Sequence, residues 1–98
     1  MAVLVIAEVP GRDAAEDARI GQELDVENRP VPGVIARFAG PTERGWRVIS
    51  VWESEEAFRT FQSERMRPVA TRLGLTTPTF EVMQLDSYNI APQQASRR

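Results

Sequence analysis

Residues 45–58 read GWRVISVWESEEAF and bring two tryptophans and three glutamates into one short stretch. A tryptophan can wall a flat pocket and a carboxylate can take a proton, so the stretch raises the chemistry of proton abstraction from an apolar substrate. Trp46 and Trp52 are six residues apart. On a regular strand that even spacing puts them on one face, roughly 20 Å apart, with Val48 and Ser50 between them. Trp52, at the strand end, is placed to shape a cavity mouth, and Trp46, just past a hairpin, to sit at its rim. The other reading of both is packing in the core or in a dimer interface. Glu55 and Glu56 follow Ser54, a helix N-cap, and compensate the positive end of the helix dipole without any chemistry. Glu53 lies on the other strand face or in the turn, where burial would suit it to proton abstraction, and it is the candidate catalytic residue.

Around this pair, Ser50, Phe58, Phe61 and Arg37 complete a candidate substrate-binding set with Trp46 and Trp52. Arg37 and Arg47 fall on the two strands of a hairpin, and Glu81 and Asp86 on a later strand, a pattern that predicts cross-strand ion pairs. An arginine that faced a pocket would instead anchor a carboxylate or an enolate oxygen. Tyr88, the sole tyrosine, reads as edge packing.

The missing residue types narrow the chemistry further. All twelve basic residues are arginine, and histidine and cysteine are absent. A histidine base, a histidine-ligated haem, a thiolate nucleophile, a disulfide and a Schiff-base lysine are therefore closed to this chain. No spaced set of carboxylates suggests a metal. Catalysis here would rest on carboxylates, arginine, hydroxyls and the substrate's own reactivity, with no cofactor.

A chain of 98 residues makes one domain, for which we take residues 1–90, with a flexible tail at 91–98. At 42% hydrophobic and 27% charged it reads as globular rather than disordered. A net charge of −2 gives no electropositive face for nucleic acid. The apolar start is broken by Glu8 and has no basic flank, so neither a signal peptide nor a membrane span is expected, and the default location is cytoplasmic.

The elements that must position these residues follow from periodicity and turn signals. Residues 2–9 form a β-branched run that ends at a Pro-Gly turn. Residues 12–25 read as a helix capped by Asp13, with Glu16 at the capping-box position. Residues 34–39 and 46–52 are strands joined by a loop at 40–45, hence antiparallel neighbours. Ser54 starts a second helix whose apolar side carries Phe58, Phe61, Met66, Val69 and Leu73, with a kink or break expected between Arg65 and Val69 because of Pro68. Gly74 stops it, and residues 79–88 are a fourth strand. The order βαββαβ predicts a ferredoxin-like α+β fold, with both helices on one face of a four-stranded antiparallel sheet. Strands one and three are apolar on both faces, so the face away from the helices needs a cover, most simply the same sheet of a second copy.

This order, the pattern G-W-x-V-x-x-V-W-E-S-x-E-A-F-x-x-F at residues 45–61 and E-R-M-R-P at 64–68 resemble the dimeric α/β-barrel superfamily. Within it the chain is most similar to small bacterial proteins grouped with the antibiotic-biosynthesis monooxygenases. The resemblance spans about residues 2–90. It implies a homodimer joined through the sheet face and a ligand pocket between sheet and helices. It also implies a cofactor-independent monooxygenase, cyclase or isomerase acting on a hydrophobic or polycyclic substrate. The superfamily includes haem-degrading enzymes, but the chain lacks their histidine ligand. Asn28 and Asn89 lie outside regular elements, so neither matches an oxygenase-type pocket asparagine. The alternative is a non-catalytic dimeric ligand-binding or accessory protein of a biosynthetic pathway.

Overall fold

A computed structural model describes residues 1–92; the expected tail from residue 93 onward lies outside the described residues. The chain runs β1 (Val3–Pro10), α1 (Ala14–Leu24), β2 (Val34–Thr42), β3 (Gly45–Trp52), α2 (Glu55–Phe61), a π-helical turn (Gln62–Met66), α3 (Arg67–Leu73) and β4 (Thr79–Gln84). The strands make one antiparallel sheet in the order β2-β3-β1-β4. This is the expected ferredoxin-like arrangement. Among the described residues, no helix is long and apolar enough to cross a membrane.

Local chemistry explains the element ends. Asp13 caps α1 by accepting from Glu16 N at 2.9 Å, as its position predicts. Glu16 does not complete a capping box; its carboxylate accepts instead from Arg12 Nε at 2.9 Å. Ser54 caps α2 by accepting from Ala57 N at 3.1 Å. Gly74 ends α3 in the left-handed region, φ 66°, where a residue without Cβ is unstrained.

Pro68 neither breaks nor ends the second helix. A proline in a helix lacks the N–H for an i→i−4 bond and crowds the carbonyl one turn back. Here the preceding residues widen into a π-turn, with Arg67 N–H bonding to Gln62 O, and Pro68 falls in the first turn of α3, where its missing donor is harmless. β2 also runs three residues further than expected, through Pro41. It is an edge strand, on which a proline can sit without costing an inner ladder bond. The hairpin thereby tightens to Glu43 and Arg44. Gly45 follows because a Cβ there would lie 2.4 Å from Val9 O. β4 stops at Gln84, short of the expected Tyr88.

The sheet's helix-facing surface carries Val3, Val5 and Val9 of β1, paired with Trp52, Ser50 and Trp46 of β3. Val3, Val5, Trp52 and Phe58 form one buried cluster, and Ile20, Leu24 and Val69 a second between α1 and α3, with Phe61 packed against both. The other surface is apolar as well: Leu4 and Ile6 of β1 pair with Val51 and Ile49 of β3, Phe38 lies beside Ile49, and Met83 beside Leu4. Phe38 is 58% exposed and Met83 52%.

Candidate functional site

Between the helix-facing side of the sheet and the helices lies an open cleft of 1410 Å³. Ordinary ligand pockets span roughly 300–1,000 Å³, so this one has room for a polycyclic molecule. Val5, Ala7 and Val48 form part of its floor, and Val26, Pro30 and Val31 of the α1–β2 connection part of its wall.

An aromatic cluster dominates the lining. Trp52 meets Phe58 edge-on, with centroids 5.6 Å apart, and Phe61 at a tilt at 5.4 Å; Phe58 in turn meets Phe80 edge-on at 5.3 Å. These offset and edge-on arrangements are the favoured ones for interacting rings. Trp52 and Phe58 are largely sealed into the core, so Phe61 and Phe80 offer more of their surface to the cleft. The Trp52 indole is held in place from below, where Nε1 donates to Ser50 Oγ at 2.8 Å. Trp52 therefore presents an apolar surface to a ligand, and the Ser50 hydroxyl keeps a proton to donate.

Charged groups also line the cleft: Glu55, Glu56, Arg59 and Arg67 from the second helix, and Arg12, Asp17 and Arg37 from the α1 and β2 side. Asp17 of α1 accepts from Arg37 Nη2 of β2 at 2.8 Å, and the Asp17 side chain is 16% exposed. Arg12, just before α1, also lines the cleft and is only 8% exposed. Arg65, in the π-turn, holds the wall: its guanidinium donates to Leu24 O at 2.8 Å and to Pro30 O at 3.2 Å, tying the end of α1 to the middle of the α1–β2 connection.

Five of the seven residues singled out from the sequence meet at this cleft: Trp52, Ser50, Phe58, Phe61 and Arg37. Trp46 does not. It shares the face of Trp52, as the even spacing requires, but the length of β3 carries it to the hairpin end, beside a separate recess of 570 Å³ with Thr42, Arg44 and Thr79. Glu53 does not either. The strand ends at Trp52, the chain bends, and Glu53 is exposed, its backbone N–H donating to Gly33 O at 2.8 Å. The burial that would have suited it to proton abstraction is missing. Arg47 pairs with Glu8 on β1 rather than with an acid of β4. Tyr88 is exposed beyond the sheet.

Arg12, Asp17 and Phe80 are the cleft residues that sequence reasoning passed over. Phe80 had a usable signal, because its alternation with Val82 places it on the helix-facing side of β4. Arg12 and Asp17 stand beside a turn and in the first turn of a helix, positions where charge is ordinarily solvated.

No protein-family profile matches the chain, and no curated protein sequence matches it. Solved structures do. SnoaB, a cofactor-independent oxygenase from Streptomyces nogalater, superposes with a TM-score of 0.60 at 19% identity, covering 98% of this chain and 97% of that one. A protein from Caulobacter crescentus CB15, provisionally called an antibiotic biosynthesis monooxygenase, gives 0.63 at 19% identity over 90% and 91%. A dimeric ferredoxin-like protein of unknown function from Thermobifida fusca gives 0.60 at 15% identity over 87% and 92%. At these identities the likeness establishes a shared ferredoxin-like fold.

Proposed function

We propose that this chain is a homodimeric, cofactor-independent enzyme of the monooxygenase type, acting on a hydrophobic polycyclic substrate in the cleft between sheet and helices. The observation that carries the proposal is the cleft itself: 1410 Å³, with Phe61 and Phe80 set over the buried Trp52–Phe58 pair and charged side chains, among them Arg12, Asp17 and Arg37, elsewhere on its lining. Such a site binds by apolar contact and orients a substrate that is already easily deprotonated. The same fold in a cofactor-independent oxygenase supports the assignment of reaction type.

Asp17 is the carboxylate placed to take the substrate proton, in the role the sequence suggested for Glu53, because it is mostly buried and lines the cleft. Arg37 orients it and shares its charge. The resulting carbanion reacts with dioxygen. One oxygen atom replaces the two hydrogens of a ring CH2 as a carbonyl, the other leaves as water, and the four electrons that reduce dioxygen come from that carbon. The second copy of the chain covers the open sheet face, where Leu4, Ile6, Phe38, Ile49 and Met83 form an apolar surface.

One observation favours a second reading. Asp17 is already tied to Arg37 at 2.8 Å, as suits a cleft that binds a ligand without turning it over. Incubation with polycyclic ketones and phenols bearing an acidic CH2, under 18O2, separates the two. The enzyme reading expects one labelled oxygen per product molecule, with Asp17→Asn lowering the rate by about 10²–10⁴-fold while binding persists. Binding of these compounds without labelled product establishes the second reading instead.

A further inference from the structure

Arg12 is a charged side chain buried against an apolar cleft, and the proposed base does not use it. We infer that Arg12 is an anion anchor, so that the cleft selects aromatic ligands bearing an anionic oxygen: a phenolate, an enolate or a carboxylate. The inference rests on the ligand-cleft reading above and narrows it to a chemical class.

Three observations support it. The Arg12 side chain is 7% exposed, yet its partner Glu16 is engaged only through Nε, at 2.9 Å, and the Glu16 side chain is 41% exposed. The two terminal nitrogens of the guanidinium make no hydrogen bond to the described residues. Neither nitrogen is a buried atom lacking a partner, so the outer edge of the guanidinium is solvated and free to exchange that water for an anion. Asp17, the α1 acid that lines the cleft, is already occupied by Arg37. Finally, Arg12, Phe61 and Phe80 line the same cleft, which joins a cationic group to an aromatic surface. The fork of a guanidinium matches a pair of oxygens in the plane of an aromatic acid better than any other side chain in this lysine-free protein.

Two probes that differ by one charged group test this: 8-anilinonaphthalene-1-sulfonate, an aromatic anion, and N-phenyl-1-naphthylamine, its uncharged counterpart. Titrations are made with the full chain carrying Trp46→Phe, so that Trp52 is the sole indole donor, and are repeated with Phe61→Ala, which weakens a probe bound in the cleft and not one bound on the sheet face. The expected result is that Arg12→Met weakens the anionic probe by about tenfold or more and leaves the neutral one within about twofold. Equal effects on both probes, or none on either, would overturn the anchor. Should Arg12→Met fail to fold, Glu16→Gln decides. Removing the competing carboxylate should tighten the anionic probe about threefold without changing the neutral one, and an unchanged anionic probe would overturn the anchor. If neither probe draws energy from Trp52 in the otherwise unaltered chain, the ligand-cleft reading itself fails.

Discussion

Trp46 keeps its indole N–H inside the protein without a hydrogen-bond partner among the described residues, whereas the Trp52 N–H is satisfied by Ser50. The two tryptophans therefore respond differently to removal of that polar atom. Trp46→Phe forfeits no hydrogen bond and should change unfolding free energy by less than about 1 kcal/mol in urea titration. Phe58→Ala, in the cluster with Val3, Val5 and Trp52, should cost about 3–5 kcal/mol in the same measurement, since it opens a cavity between the Trp52 and Phe80 rings. Trp52, Ser50, Phe58 and Phe61 were legible in the sequence because strand and helix periodicity fixes which face they occupy. Glu53 was not, because its exposure depends on Gly33, twenty residues earlier, whose carbonyl takes the Glu53 N–H just as the strand ends. Arg12 was not, because a lone arginine between a turn and a helix cap belongs to no period.

At the scale of elements, the second helix and the α1–β2 connection act together. The π-turn spans Gln62–Met66, and Arg65 within it grips Leu24 O and Pro30 O. π-turns are rare and recur at functional sites, where the widened turn re-aims its side chains. Here it contributes both to the cleft lining, through Gln62, Ser63 and Met66, and to the clamp on the opposite wall. Arg65→Met should accelerate amide hydrogen exchange across residues 25–33 while leaving the β3 amides at their original rates. Exchange that stayed unchanged in 25–33 would show that the connection holds itself. The conflict at Pro68 was readable from the chain, and so was the helix stop at Gly74. The way the conflict is resolved was not, since a π-turn depends on what the shifted side chains find to pack against. β2 likewise ran through Pro41 because the strand turned out to lie at the sheet edge, a fact of topology that a local pattern does not contain.

For the whole molecule, the order of elements and the two-sided apolar strands carried almost the entire fold, because each strand's alternation and each helix cap point to the same arrangement. The helices cover one sheet face, and the other presents Phe38 and Met83 to solvent in a single copy. Exposed apolar surface of this kind marks an interface. Static light scattering of the proposed homodimer should return twice the 11.0 kDa of the chain, and Phe38→Glu should return the mass of one chain with its secondary structure retained. A chain already monomeric before the substitution would remove the reason offered for the apolar face. The dimer leaves the central claim, that the cleft between sheet and helices is the ligand site, to be tested by itself. The direct measurement is a titration of 15N-labelled protein with N-phenyl-1-naphthylamine, followed by amide and indole chemical shifts. The Trp52 indole and the amides of Phe61 and Phe80 should move while the Trp46 indole and Phe38 stay in place. Shifts confined to Phe38, Ile49 and Met83 would put the ligand on the sheet face and rule out the cleft as its site.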